Sequence, residues 1–288
     1  MENRAFSTVF IIAAPRSGSN LLRDHIAQFE GVGTWPCDEI NYIWRHGNHR
    51  HPTDEFPACF ATPEFARYIQ NCFSRLARER DLQVVLEKTC ANSLRVEFLA
   101  RIFPESRFIF LIRDGRDCTA SAMERWQARV DFEYHFKKAR FVPASDLAYY
   151  GFRFLRNRLR KTLSRQRVLA TWGPRFEGMD EILRNQGLAV TCALQWKRCV
   201  ELSNQALQRL LPSRLFRLRY EDLVSTPEKA LTRVAEFLEI HTPPKSLEEA
   251  SSKVTATSLG KWHSQLSAEE RDIVQSLLSE TLRTHGYS

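Results

Sequence analysis

One stretch near the N-terminus limits the fold before anything else does. An apolar run, Val9 to Ala14, gives way to Pro15, Arg16, Ser17, Gly18, Ser19 and Asn20, and an amphipathic helical pattern starts at Leu21. The run is too short for a helix core and is rich in β-branched and aromatic residues, so it reads as a strand. Pro15 has no N–H to give a ladder and ends it. Gly18 lets the loop backbone come close to whatever sits above it. The N–H groups that follow lie at a helix N-terminus, where four donors lack partners and the macrodipole is positive, a geometry that binds anions. Arg16 adds a planar cationic fork suited to phosphate or sulfate. The Walker spacing G-x-x-x-x-G-K-[ST] is absent, because no Lys follows Gly18. An ordinary strand-turn-helix of an α/β domain has the same outline.

A second anchor of this kind follows further on. Arg107 to Ile112 is nearly continuously apolar, as a buried parallel strand should be. It ends in R-D-G-R-D-C-T-A-S, which sets Arg113 at the C-terminal edge of the sheet and Ser121 about two turns into the next helix. The plainer reading of the charges is an Arg113–Asp117 surface pair. Another strand, Gln83 to Leu86, runs into Glu87, Lys88 and Thr89, again at the edge where open α/β sheets bind ligands. Glu87 and Lys88 are adjacent and point opposite ways if the strand continues, and a salt bridge to a nearby Arg would account for Glu87. Asp38 and Glu39 lie in a Gly-, Pro- and aromatic-rich loop from Gly31 to Asn48. There they are either bases of raised pKa or solvated turn acids.

The remaining pattern alternates helix and strand. Helices are expected over Leu21–Phe29, from a Thr62 cap to about Arg80, and over Asn92–Phe103 and Leu188–Leu211. A fourth strand is expected over Arg214–Tyr220, then a helix to Leu238 with Thr226 as cap and Pro227 first. A last helix opens on the capping box Ser267-Ala-Glu-Glu270. With 288 residues and 43% hydrophobic composition, the chain can bury the core of one domain spanning 1–288. The net charge of +8 favours an anionic ligand, nucleic acid or an anionic surface. Residues 123–187 interleave Arg with aromatics and read as a helical insertion capping the site. A nucleic-acid surface is the rival, but no known nucleic-acid motif accompanies the charge. Seven cysteines without a C-x-x-C pair read as free thiols in a reducing, cytoplasmic setting. His46, His49 and His51 lack a Cys or acid to complete a metal-ligand spacing, so no metal is expected. No apolar run is long enough to cross a membrane.

Taken together, P-R-S-G-S-N-L-L, R-D-G-R-D-C-T-A-S, R-Y-E-D-L and a late G-K-W, in that order, resemble the PAPS-dependent sulfotransferases, most closely their bacterial and Golgi-type branch. The resemblance covers nearly the whole chain except 123–187. It implies a P-loop-like, three-layer α/β fold with a central parallel β-sheet flanked by helices. It also implies metal-independent, in-line sulfuryl transfer from 3′-phosphoadenosine 5′-phosphosulfate (PAPS) to a hydroxyl or amine of a small-molecule or carbohydrate acceptor. Arg16, Ser17, Gly18, Ser19 and Asn20 would then hold the 5′-phosphosulfate, and Arg113 and Ser121 the 3′-phosphate. Tyr220 would contact adenine, and Gly260, Lys261 and Trp262 would close over the nucleotide. Glu87, in an E-K-T like that of the heparan-type enzymes, or Glu39, like the acceptor-binding glutamate of small bacterial relatives, would be the base, with Glu87 slightly favoured. Lys88 would bridge base and sulfate. Arg16 stands where the cytosolic branch has Lys, which fits charge neutralisation better than proton donation. Rival readings are a nucleotide-kinase-like P-loop enzyme and a basic nucleic-acid-binding protein.

Overall fold

The structure is a computed structural model that describes residues 6–127, 172–242 and 258–288. The strands are β1 (Ser7–Ile12), β2 (Val32–Thr34), β3 (Val84–Glu87), β4 (Arg107–Ile112) and β5 (Leu215–Arg219). They form one sheet in the order β2-β3-β1-β4-β5, and every pairing is parallel. In a parallel sheet the connections leave from one edge, so the loops after β1, β3 and β4 gather at the same C-terminal rim. β1 is the middle strand, with β3 on one side and β4 on the other. The two cationic loops read from sequence therefore leave neighbouring strands.

Alternation along the strands sends side chains into two cores. Phe10, Ile12, Val85, Phe108 and Phe110 face one layer. It contains α3 (Pro63–Glu79), α4 (Val96–Ile102), α5 (Gly115–Gln127), α6 (Met179–Leu207) and α10 (Ala268–Thr284). Val9, Ile11, Leu86, Ile109 and Leu111 face the other. That layer contains α1 (Ser19–Ile26), α7 (Tyr220–Ser225) and α8 (Pro227–Leu238). This is the expected three-layer arrangement. The buried Phe10 ring packs on Trp44, Phe73, Phe103 and Phe108 at centroid distances of 5.9, 6.2, 5.6 and 5.5 Å. Burying such a ring contributes about 2–3 kcal/mol and fixes β1 in the sheet.

The expected β4 carries the bounds read from sequence, and Ser267 forms its capping box with Glu270. The helix expected over Asn92–Phe103 is a 3-10 turn, Cys90–Leu94, followed after Arg95 by α4. Three further details differ. The loop after Gly31 holds an edge strand, β2, and a short helix α2 (Asn41–Trp44). Helix α6 begins at Met179, well before Leu188, and breaks at Gly187, whose φ of 85° only glycine adopts readily. Thr226 does not cap α8; its hydroxyl donates to the Asp222 carbonyl at 3.1 Å and closes α7 instead. Most of the helical insertion expected at 123–187 lies outside the described residues; 123–127 continue α5. Among the described residues no helix is long and apolar enough to cross a membrane.

Candidate active site

The loop between β1 and α1 turns through Arg16, which adopts a left-handed φ of 67°, and Gly18, with φ 86°. The first conformation costs a non-glycine residue about 1 kcal/mol or more, and such strain is typical of functional loops. Gly18 stands at the N-cap and offers no side chain to the first turn of α1, so the helix start keeps open N–H donors. A Cβ on Gly18 would lie 2.3 Å from a ring carbon of Tyr220. Glycine is therefore required here for close packing on Tyr220. Ser17 and Ser19 are buried against thiols, with Ser17 Oγ 3.5 Å from Cys118 Sγ and Ser19 Oγ 3.9 Å from Cys90 Sγ. Burial pushes the Cys118 thiol up to about 12 and raises Cys90 as well, so both neighbours stay neutral thiols. Arg16 and Asn20 are exposed at the rim.

The loop after β4 meets this one. Arg16 Nε donates to Ser121 Oγ at 2.9 Å, and Arg113 Nη1 donates to the Arg16 carbonyl at 3.0 Å. The two anion loops thus share one rim. Arg113 is only 6% exposed. Its guanidinium lies 4.6 Å above the Tyr220 ring, and its Nη2 reaches the Ser258 carbonyl and, at 3.3 Å, Asp117. Among the described residues its buried Nε has no hydrogen-bond partner. A guanidinium with a vacant, buried donor beside an uncapped helix start suits an oxyanion. Tyr220 is itself buried and its hydroxyl lies 2.6 Å from Ser258 Oγ. One ring face meets Arg113, and the ring edge meets Gly18.

Gly260 and Trp262 are held over this rim by Asp117. Its Oδ2 accepts from Gly260 N at 2.9 Å and its Oδ1 from Trp262 N at 3.1 Å. Arg116 lies 4.7 Å over the Trp262 ring, and Lys261 is exposed between the two.

The carboxylates after β2 and β3 divide sharply. Glu87 is 1% exposed. Its Oε1 accepts from Trp44 Nε1 at 3.2 Å and Thr89 Oγ1 at 2.5 Å, and its Oε2 from Asn92 Nδ2 at 2.7 Å. Burial raises its pKa to about 7, against the pull of those donors and of Arg95 and Lys88. Asn92 is oriented in turn by Arg95, which reaches Asn41 and Asp54. Lys88 points the other way, as two adjacent strand-end residues should. Its Nζ lies 3.3 Å from Glu39 Oε1 and 3.7 Å from Asp38. Burial opposes its charge, but the carboxylates of Glu39 and Asp38 favour it and its pKa is raised, so the ammonium persists. Glu39, with its side chain 23% exposed, also accepts from Cys90 N at 3.2 Å. Arg23, in the last turn of α1, holds Asp38 at 2.8 Å, which ties this cluster to that helix. Asp117, Asn92, Arg95 and Arg23 were not singled out from sequence. Only Asp117 left a trace there, as the acid at i+4 from Arg113 on a helix's first turn. Among the described residues no group of three or more His, Cys, Asp or Glu could hold a metal ion.

A parallel sheet with two cationic, glycine-bearing loops at its C-terminal rim defines a P-loop-like α/β protein. The profile of the sulfotransferase family matches residues 8–170 and 154–244, and the chain belongs to that family. Stf3 of Mycobacterium bovis, an omega-hydroxy-beta-dihydromenaquinone-9 sulfotransferase, is 22% identical over 222 residues. That match covers 77% of this chain and 44% of Stf3, so the chain spans less than half the length of this curated relative. The sulfotransferase domain of the curacin biosynthetic pathway shares the fold at a TM-score of 0.54 and 17% identity, over 96% of this chain and 98% of that one. Sulfotransferase STF9 of Mycobacterium avium does so at 0.55 and 13%, over 98% and 78%.

Proposed function

We propose that the chain transfers a sulfuryl group from PAPS to the hydroxyl of a small-molecule acceptor. The observation that carries this reading is the contact of Arg16 with Ser121 and of Arg113 with the Arg16 carbonyl, which joins two anion loops on neighbouring strands. Arg16, the Ser17 side chain and the N–H groups from Gly18 to Asn20 take the phosphosulfate end. The vacant Arg113 Nε and Ser121 take the 3′-phosphate, and Gly260, Lys261 and Trp262 cover the nucleotide. Tyr220, closed off by Gly18 and Arg113, serves as a wedge between the two loops rather than as an adenine contact.

In the transfer the acceptor oxygen bonds to sulfur while the bond from sulfur to the 5′-phosphate oxygen breaks. Arg16 and the start of α1 stabilise the charge that gathers on that leaving oxygen. Arg16 cannot readily surrender a proton, so the leaving phosphate departs as an anion. The acceptor's proton goes to a carboxylate. Glu39 fits this role better than Glu87: its carboxylate is part exposed, while both oxygens of Glu87 are engaged by buried donors. Lys88 orients Glu39, and Glu87 forms the floor beneath the rim. A hydroxyl acceptor agrees with the omega-hydroxy substrate in the name of the mycobacterial relative.

An assay with labelled PAPS and a panel of alcohols tests the reading. Glu39→Gln is expected to lower kcat by about 10²–10⁴-fold, the usual range for a lost general base. Glu87→Gln should lower it less. The reverse order would return the base to Glu87. Failure of the product nucleotide 3′-phosphoadenosine 5′-phosphate (PAP) to bind in a titration would falsify the proposal as a whole.

A further inference from the structure

Asp117 is 3% exposed, on the first turn of α5, and every described group that touches its carboxylate is a donor. Gly260 N and Trp262 N donate from the loop, and Arg113 Nη2 lies 3.3 Å away at the end of β4. Arg113 in turn donates to the Ser258 carbonyl, whose side chain meets Tyr220. Two stretches far apart in sequence, the β4–α5 turn and the loop 258–262, therefore meet on one buried acceptor. A carboxylate alone supplies acceptors on both oxygens; an amide would turn an NH₂ group on donors.

We propose that Asp117 is a positioning residue that seats the loop 258–262 on Arg113 before the nucleotide arrives, so that the nucleotide site is assembled in advance. Holding Nη2 on Asp117 and Ser258 fixes the guanidinium plane while Nε keeps its hydrogen-bonding capacity. The site then spends little ordering entropy when it fills. This rests on the nucleotide reading above, and its consequence is specific: Asp117 governs nucleotide affinity more than the transfer step.

Three measurements test it. In the wild-type chain without nucleotide, the Gly260 and Trp262 amides should exchange slowly with deuterated solvent; exchange at the rate of an open loop overturns the proposal, whatever becomes of the variants. Trypsin should cleave after the exposed Lys261 slowly in the wild type and at least tenfold faster in Asp117→Asn, where donors face an amide. Equal cleavage rates overturn it. In Asp117→Asn, PAP should bind about tenfold more weakly, as expected for one buried donor left unmet, and KM for PAPS should rise by more than kcat falls. Wild-type binding of PAP with unchanged affinity in the variant removes this proposal alone. No binding of PAP by the wild type removes the nucleotide reading and this proposal with it.

Discussion

Glu87 and Glu39 end in opposite surroundings. Glu87 closes a strand and Glu39 lies in an aromatic-rich loop, and neither local stretch tells which carboxylate will be enclosed. What separates them is Trp44, Thr89 and Asn92 closing over one and Lys88 reaching the other. The raised pKa of Glu87 has a sign that can be checked. A carboxyl whose folded pKa of about 7 exceeds its unfolded value binds more protons when folded. Its contribution to stability is complete below the unfolded pKa near 4.5 and is lost as pH rises through 7. Chemical denaturation at pH 5 and pH 8 should therefore show the wild type losing stability relative to Glu87→Gln as pH rises, by up to about 3 kcal/mol. A difference that stays constant with pH would mean that the three donors, not burial, decide the protonation state. Asp117 teaches the same lesson more strongly. From sequence an Arg113–Asp117 surface pair is the plainer alternative, because nothing local foretells that the loop at Gly260 returns to cover Asp117.

Elements were legible where the signal is local. The continuous apolar run of β4 and the Ser267–Glu270 box each carry their meaning within a few residues. Strand β2 did not, because Val32-Gly33-Thr34 is too short to display a period and is a strand only by pairing with β3. Gly33 also lies so close to Leu82 that a Cβ would come within 2.5 Å of it, a fact invisible from its neighbours in sequence. Two threonine and serine caps read alike from sequence and differ in the structure. Ser267→Ala should cost about 1 kcal/mol, since its hydroxyl serves Glu270 N. Thr226→Ala should cost less than about 0.5 kcal/mol, since its exposed hydroxyl serves only the Asp222 carbonyl. Thermal melts of the two variants compare them directly, and equal losses would refute the distinction.

For the molecule as a whole, the sequence revealed the layers and the rim, because alternating helix and strand patterns force a parallel sheet. It could not reveal which strand lies in the middle, since that is set by pairing across long separations. The surplus of cationic side chains, +8 overall, should speed capture of a polyanionic nucleotide. Stopped-flow association of PAP is expected to slow as salt rises from 20 to 300 mM, while dissociation changes little; an association rate indifferent to salt would make the net charge irrelevant to capture. The position of β1 has one more consequence, for synthesis. Its neighbours, Val84 to Glu87 on one side and Arg107 to Phe110 on the other, are both made much later than β1 itself. During synthesis the apolar strand β1 stays unmatched until both neighbours have been made, and the hairpin that shelters such a strand in antiparallel proteins is not open to it. Chaperones that shield newly made apolar segments should therefore engage β1 and release it only once β4 has emerged.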